Sequence, residues 1–101
     1  MTITLHCFGE SGNSYKAALS LELSGLKWTP EKVDFFNGAT RTNEFKTLNV
    51  LGEAPVMVDG NTTLTQSGAI QQYVVDKSGK LGGLPEDKYE ILRWVLFDNH
   101  K

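Results

Sequence analysis

Ser11-Gly12-Asn13-Ser14 is the stretch of this 101-residue chain best placed to do chemistry. It follows a short apolar run, Ile3, Leu5, Cys7 and Phe8, that ends at Gly9. It precedes residues 15–23, whose pattern predicts a helix stopped at Gly25. The first turn of a helix exposes unpaired backbone N–H groups and a partial positive charge. Such an environment stabilises a thiolate, whether the sulfur belongs to the protein or to a bound thiol. No cysteine stands in the stretch, so a cysteine pair cannot run thiol–disulfide exchange there. A serine hydroxyl, in contrast, can donate a hydrogen bond to a sulfur anion. Ser11 and Asn13 are the candidates, with Ser14 third, and the alternative role for each is capping the helix.

A second group lies at residues 54–70. Pro55-Val56-Met57-Val58 and Thr63-Leu64-Thr65 flank Asp59-Gly60, a strong hairpin-turn signal. Gln66-Ser67 then steps into a helix, with Ser67 as its cap. Ile70, Tyr73 and Val74, at i, i+3 and i+4, mark the buried face of that helix. Pro55 on its own is compatible with an ordinary edge-strand proline.

The elements that must position these groups follow from periodicity. A strand over residues 3–8, a helix and a strand over 28–35 make a right-handed parallel βαβ unit. Residues 42–48 form a short helix carrying Phe45 and Leu48, and 49–53 are loop. Residues 78–84 hold three glycines and read as a linker. Pro85-Glu86-Asp87 opens a last helix, with a proline and acids in its first turn. Tyr89, Ile91, Leu92, Trp94, Val95, Leu96 and Phe97 cover nearly the whole circumference of that helix, which predicts burial on several sides. The expectation is a truncated chain whose missing part packs there. The alternative is a terminal helix that docks on its own domain or on a partner.

Composition bounds the rest. With 40% hydrophobic and 22% charged residues, 101 residues suit one domain with one core. A net charge of −2 with no basic patch gives a nucleic-acid partner no electrostatic support. The first residues lack a basic n-region, and no apolar stretch reaches the length of a membrane span. Cys7 is the only cysteine, so no internal disulfide can form and a reducing, cytoplasmic setting fits. Cys7 reads as a small buried hydrophobe, and His6 as a residue on the opposite side of the same strand. One cysteine and two scattered histidines, His6 and His100, lack metal-ligand spacing, so no metal is expected. Gly82-Gly83 lies in the linker and makes no phosphate loop, and no local Ser-His-Asp grouping is present.

Taken together, the Ser11–Ser14 junction, Ala54-Pro55 and Gln66-Ser67 resemble the glutathione-binding half of the glutathione S-transferase family, a thioredoxin-like domain. The resemblance divides the chain into a thioredoxin-like domain (1–77), a linker (78–84) and the first helix of a helical C-terminal domain (85–101). The implied fold class is α/β: a thioredoxin-like βαβαββα arrangement with a mixed four-stranded sheet and helices on both faces, plus the start of an all-α C-terminal domain.

The resemblance also implies roles. Ser11 sits where serine-type members carry the residue that lowers the pKa of the glutathione thiol, about 8.5 for a free thiol. Ser-Gly-Asn-Ser-Tyr-Lys also looks like a bacterial branch in which a Thr or Ser and a nearby Asn face the sulfur, which brings in Asn13. The family's proline at the start of the third strand is cis. Pro55 in that form would open the N–H and C=O of Ala54 to the cysteinyl backbone of glutathione, like one more antiparallel strand. The family usually has a larger aliphatic residue where Ala54 stands. Gln66 would orient the γ-glutamyl ammonium, while Ser67 and the helix N–H groups would take its carboxylate. Arg41, ahead of Lys46, would meet the glycine carboxylate bidentately. Asp98 and Asn99 would reach a neighbouring subunit's site.

The implied activity is that of a glutathione transferase, with glutathione as substrate and a small electrophile as its partner in the reaction. The complete protein would be a cytoplasmic homodimer, and this piece alone would have little activity. Two other readings stay open: a non-catalytic interaction module of the same fold, and a glutathione-dependent disulfide reductase without its own cysteine.

Overall fold

β1 (Ile3–Cys7) runs through the middle of a four-stranded sheet and organises everything around it. The computed structural model describes residues 2–34, 37–49 and 52–99. After β1 come α1 (Gly12–Ser24), β2 (Trp28–Lys32), a 3-10 turn (Ala39–Arg41), α2 (Asn43–Leu48), β3 (Val56–Asp59), β4 (Thr62–Thr65) and α3 (Ser67–Ser78). A second 3-10 turn (Pro85–Asp87) leads into α4 (Lys88–Asn99). The sheet order is β2-β1-β3-β4, with β1 and β2 parallel and the other two pairs antiparallel. This is the expected mixed sheet with a parallel βαβ start.

Alternation along the strands decides which helix covers which face. Ile3, Leu5 and Met57 point to one face, where they are sealed by Ala17 and Leu21 of α1 and by Ile70 and Val74 of α3. Val56, next to Met57, points to the other face and packs with Val33 and with Phe45 of α2. Helices therefore lie on both faces. Each fully buried aliphatic side chain contributes on the order of 1.5–3 kcal/mol.

Several boundaries differ from the sequence expectation. β2 ends at Lys32, although the Val33 N–H still donates to the Cys7 carbonyl at 2.8 Å. Phe35, the expected end of that strand, lies outside the described residues, as does His100. α1 stops at Gly25 as expected, with φ 79°. The hairpin turn is shifted by one residue. Asp59 pairs with Thr62, so the two loop positions are Gly60 and Asn61, and Gly60 at the first takes φ 60°.

Asp59 is drawn into the strand by partners far along the chain. Its buried carboxylate accepts from Tyr73 Oη at 2.6 Å and from Lys77 Nζ at 2.5 Å, both on α3. The Lys77 ammonium, and then the Tyr73 hydroxyl, hold the Asp59 carboxyl below the usual carboxylate range. The same contact raises Tyr73 and Lys77. A depressed carboxylate contributes stability above its unfolded pKa of about 3.9 and loses it as pH falls through the folded value. Raised Tyr and Lys groups contribute stability below about pH 10, and it fades as pH rises through their folded values. Asp59→Asn is therefore expected to cost about 1–3 kcal/mol near neutrality. The gap to wild type should close in acid, where the native carboxyl is also protonated. Urea unfolding from pH 2 to 8 checks this, and a gap independent of pH would contradict it.

α4 is largely uncovered. None of its residues is fully buried, and Tyr89 is 76% exposed, Leu96 60% and Phe97 54%. Ile91 and Val95 are half-buried. Among the described residues no helix is long and apolar enough to cross a membrane, and no three His, Cys, Asp or Glu side chains group as metal ligands.

Candidate functional site

The loop that enters β3 is fixed by two devices. Gly52 takes φ 66°, and a Cβ there would lie 2.8 Å from the Thr40 carbonyl oxygen, so only glycine allows this close approach of two backbones. Asn49, buried at the end of α2, donates from Nδ2 to the Glu53 carbonyl at 2.8 Å. The next residues, Ala54-Pro55, are joined by a cis bond, as the resemblance implied. The β1–β3 ladder ends at Val56, which leaves Ala54 outside it.

The start of α3 lies across from this loop. Gln66 is the residue before the helix and has φ 71°, a region that a side-chain-bearing residue adopts at a cost of roughly 1–3 kcal/mol. Such strain gathers where a site over-determines the backbone. Nothing in the residue types around Gln66 signals it. The position also corrects an expectation. Ser67 is the first helical residue rather than the cap, and no side chain caps this helix from position 66. The first-turn N–H groups therefore take acceptors from elsewhere, and the Gly68 N–H donates to Asn99 Oδ1 at 3.0 Å.

One small cleft gathers these parts. Asn13, Asn49, Glu53, Ala54, Pro55, Gln66, Ser67 and Asn99 line it. Five residues expected from sequence thus converge: Asn13, Ala54, Pro55, Gln66 and Ser67. Asn49 and Glu53 read only as loop in the sequence, because their role depends on a side-chain-to-backbone bond. Asn99 meets the start of α3 in its own chain. Its Oδ1 accepts from the Gly68 N–H at 3.0 Å and lies 3.3 Å from Ser67 Oγ. Its Nδ2 donates to Gln66 Oε1 at 3.1 Å.

Ser11 is the N-cap of α1, and its Oγ accepts from the Ser14 N–H at 3.0 Å. Capping uses the oxygen as acceptor and leaves the hydroxyl proton available. Ser11 is half-buried and is not one of the residues that line the cleft. Ser14 is buried, and its hydroxyl accepts from the Phe8 N–H at 3.4 Å, so it serves the β1–α1 corner. Arg41 is exposed on the 3-10 turn and folds back over Gly38; it does not line the cleft, nor does exposed Lys46. Burial pushes the Cys7 thiol up, only partly offset by a backbone hydrogen bond from Glu31. A protonated thiol is a poor nucleophile, which fits a structural cysteine. It lines a separate, more apolar cavity of about 520 Å³ with Phe8, Tyr15, Ala18 and Pro30.

The family model "Glutathione S-transferase, N-terminal domain" matches residues 1–76, from β1 into α3. The chain belongs to the glutathione S-transferase family. Glutathione S-transferase 1 of Dianthus caryophyllus is 36% identical over 83 residues, covering 82% of this chain and 38% of that protein. Elongation factor 1-gamma 3 of Oryza sativa subsp. japonica is 31% identical over 100 residues, covering 96% of this chain and 24% of that protein. A crystal structure of a glutathione transferase family member from Pseudomonas fluorescens Pf-5, with two glutathione bound, superposes with a TM-score of 0.86 at 29% identity. The superposition covers 94% of this chain and 44% of that one. The chain thus spans less than half the length of these relatives. The glutathione S-transferase domain is the thioredoxin-like fold expected from the sequence, and the family match ends before α4.

Proposed function

We propose that this chain is the glutathione-binding part of a glutathione transferase of the serine type. The observation that carries the reading is the convergence of Ala54, Pro55, Gln66 and Ser67 with Asn13 on one cleft. The cysteinyl backbone of glutathione would pair with Ala54 outside the β-ladder. The γ-glutamyl carboxylate would take the N–H groups at Ser67 and Gly68, the latter now donating to Asn99, and Gln66 would orient the ammonium. That placement points the sulfur towards the first turn of α1, where the Ser11 hydroxyl donates to the thiolate and Asn13 assists. Arg41 is the proposed cation for the glycine carboxylate; its exposure requires its side chain to swing away from Gly38. The activated thiolate would attack an electrophilic carbon of a small second substrate.

Residues 1–77 are read as the binding domain, 78–84 as a linker and 85–101 as the opening of a helical domain. The exposed apolar side chains of α4 support the last assignment. The complete protein is read as a cytoplasmic homodimer. Titration of glutathione into this chain tests the function: saturable binding is expected, and none would remove it. The similarity to elongation factor 1-gamma 3 over 96% of the chain favours one other reading, an interaction module. A chain that folds and ignores glutathione would support that module.

A further inference from the structure

The cleft has a volume of about 60 Å³, well below the ~300 Å³ at which small-molecule pockets begin. Asn99, at the end of α4, lines it and bonds to its polar groups. Asn99 offers an acceptor to the Gly68 N–H and a donor to Gln66 Oε1. These are the two complementary groups that an α-amino acid would offer the same partners, carboxylate oxygen to the helix N–H and ammonium to the amide oxygen. From this juxtaposition we propose that Asn99 is an internal occupant of the γ-glutamyl subsite, one that glutathione must displace. The proposal rests on the reading of residues 54–67 as the glutathione groove.

Few contacts hold the occupant in place. Asp98, the preceding residue, forms an ion pair with Lys16 of α1. Val95, one turn earlier, lies so close to Gly68 that a Cβ there would come within 2.9 Å of Val95 Cγ1. α4 has no fully buried residue, so its end belongs to the least stable part of the structure and can open locally. The displaced state is then a minor population, and the apparent affinity for glutathione is the intrinsic affinity reduced by that fraction. Asn99 thereby sets a threshold: a ligand must satisfy both Gly68 and Gln66 to evict it, and an anion lacking the ammonium would satisfy only one.

Glutathione titrations of the wild-type chain, Asn99→Ala and Asp98→Ala test the device. Asn99→Ala is expected to bind glutathione about fivefold more tightly, the factor one net hydrogen bond confers. Asp98→Ala, which loosens the same helix end without touching the subsite, is expected to shift affinity in the same direction. Binding that is unchanged or weaker in Asn99→Ala overturns the proposal and leaves the groove reading standing. No binding by wild type or either variant overturns both.

Discussion

Ser11→Ala is expected to slow conjugation by the complete protein on the order of 10²–10³-fold, the usual cost of removing one preorganised donor to an anion. The pKa of the bound thiol should rise in parallel, read in this chain from thiolate absorbance against pH. The variant also loses the oxygen that accepts from the Ser14 N–H, so it should lose about 1 kcal/mol of stability. The two roles separate cleanly. Ser11→Asp keeps an oxygen for the cap but has no proton to give a thiolate, and it adds a like charge. It should restore stability and leave the thiol unactivated. Ser11→Thr keeps both and should remain close to wild type. Unchanged kinetics in Ser11→Ala would remove Ser11 from the mechanism and leave Asn13, the α1 residue that lines the cleft, as the donor to test.

Ile70→Ala is expected to cost about 2–5 kcal/mol, a large share of the roughly 5–15 kcal/mol that holds a domain together. Ile70 is fully buried against α1 and the sheet, and its N–H makes the first helical bond of α3 to the Gln66 carbonyl at 3.1 Å. The side chain therefore fixes the helix whose N-terminus forms half of the groove. Ile70→Val should cost only about 0.5–1.5 kcal/mol. Urea denaturation of both variants supplies the numbers. Glutathione affinity corrected for the folded fraction should change little, because Ile70 acts through the position of α3. A loss below 1 kcal/mol for the alanine variant would mean that the core is not centred where α1, α3 and β1 meet.

What was legible in the sequence was local. Gly9, the Ser11–Ser14 cluster and Gly25 bracket α1, and each acts within one turn of itself. Ile70 and Val74 lie on one face of α3 because 3.6 residues make a turn, and both are fully buried. Ala54-Pro55 and Gln66-Ser67 were legible only together, as a resemblance. What was not legible depends on distant partners. The turn slipped by one residue because Tyr73 and Lys77 hold Asp59 in the strand from α3. Ser67 looked like a cap, but Gln66 with its positive φ takes that position and the helix starts one residue earlier, and residue type does not encode that angle. Asn49 and Asn99 are ordinary polar residues in the sequence and gain meaning only through Glu53 and Gly68. The apolar circumference of α4 was legible too, and the described residues leave it exposed.

The claim on which the account depends is that glutathione lies between Ala54 and the start of α3. The most direct measurement is a glutathione titration of the ¹⁵N-labelled chain, followed amide by amide. The account predicts saturable shifts at Ala54, Ser67 and Gly68 and at the Asn13 and Asn99 side-chain amides, all with one affinity. Shifts confined to the apolar cavity around Cys7 or to the exposed face of α4, with Ala54 and Ser67 unmoved, would contradict it.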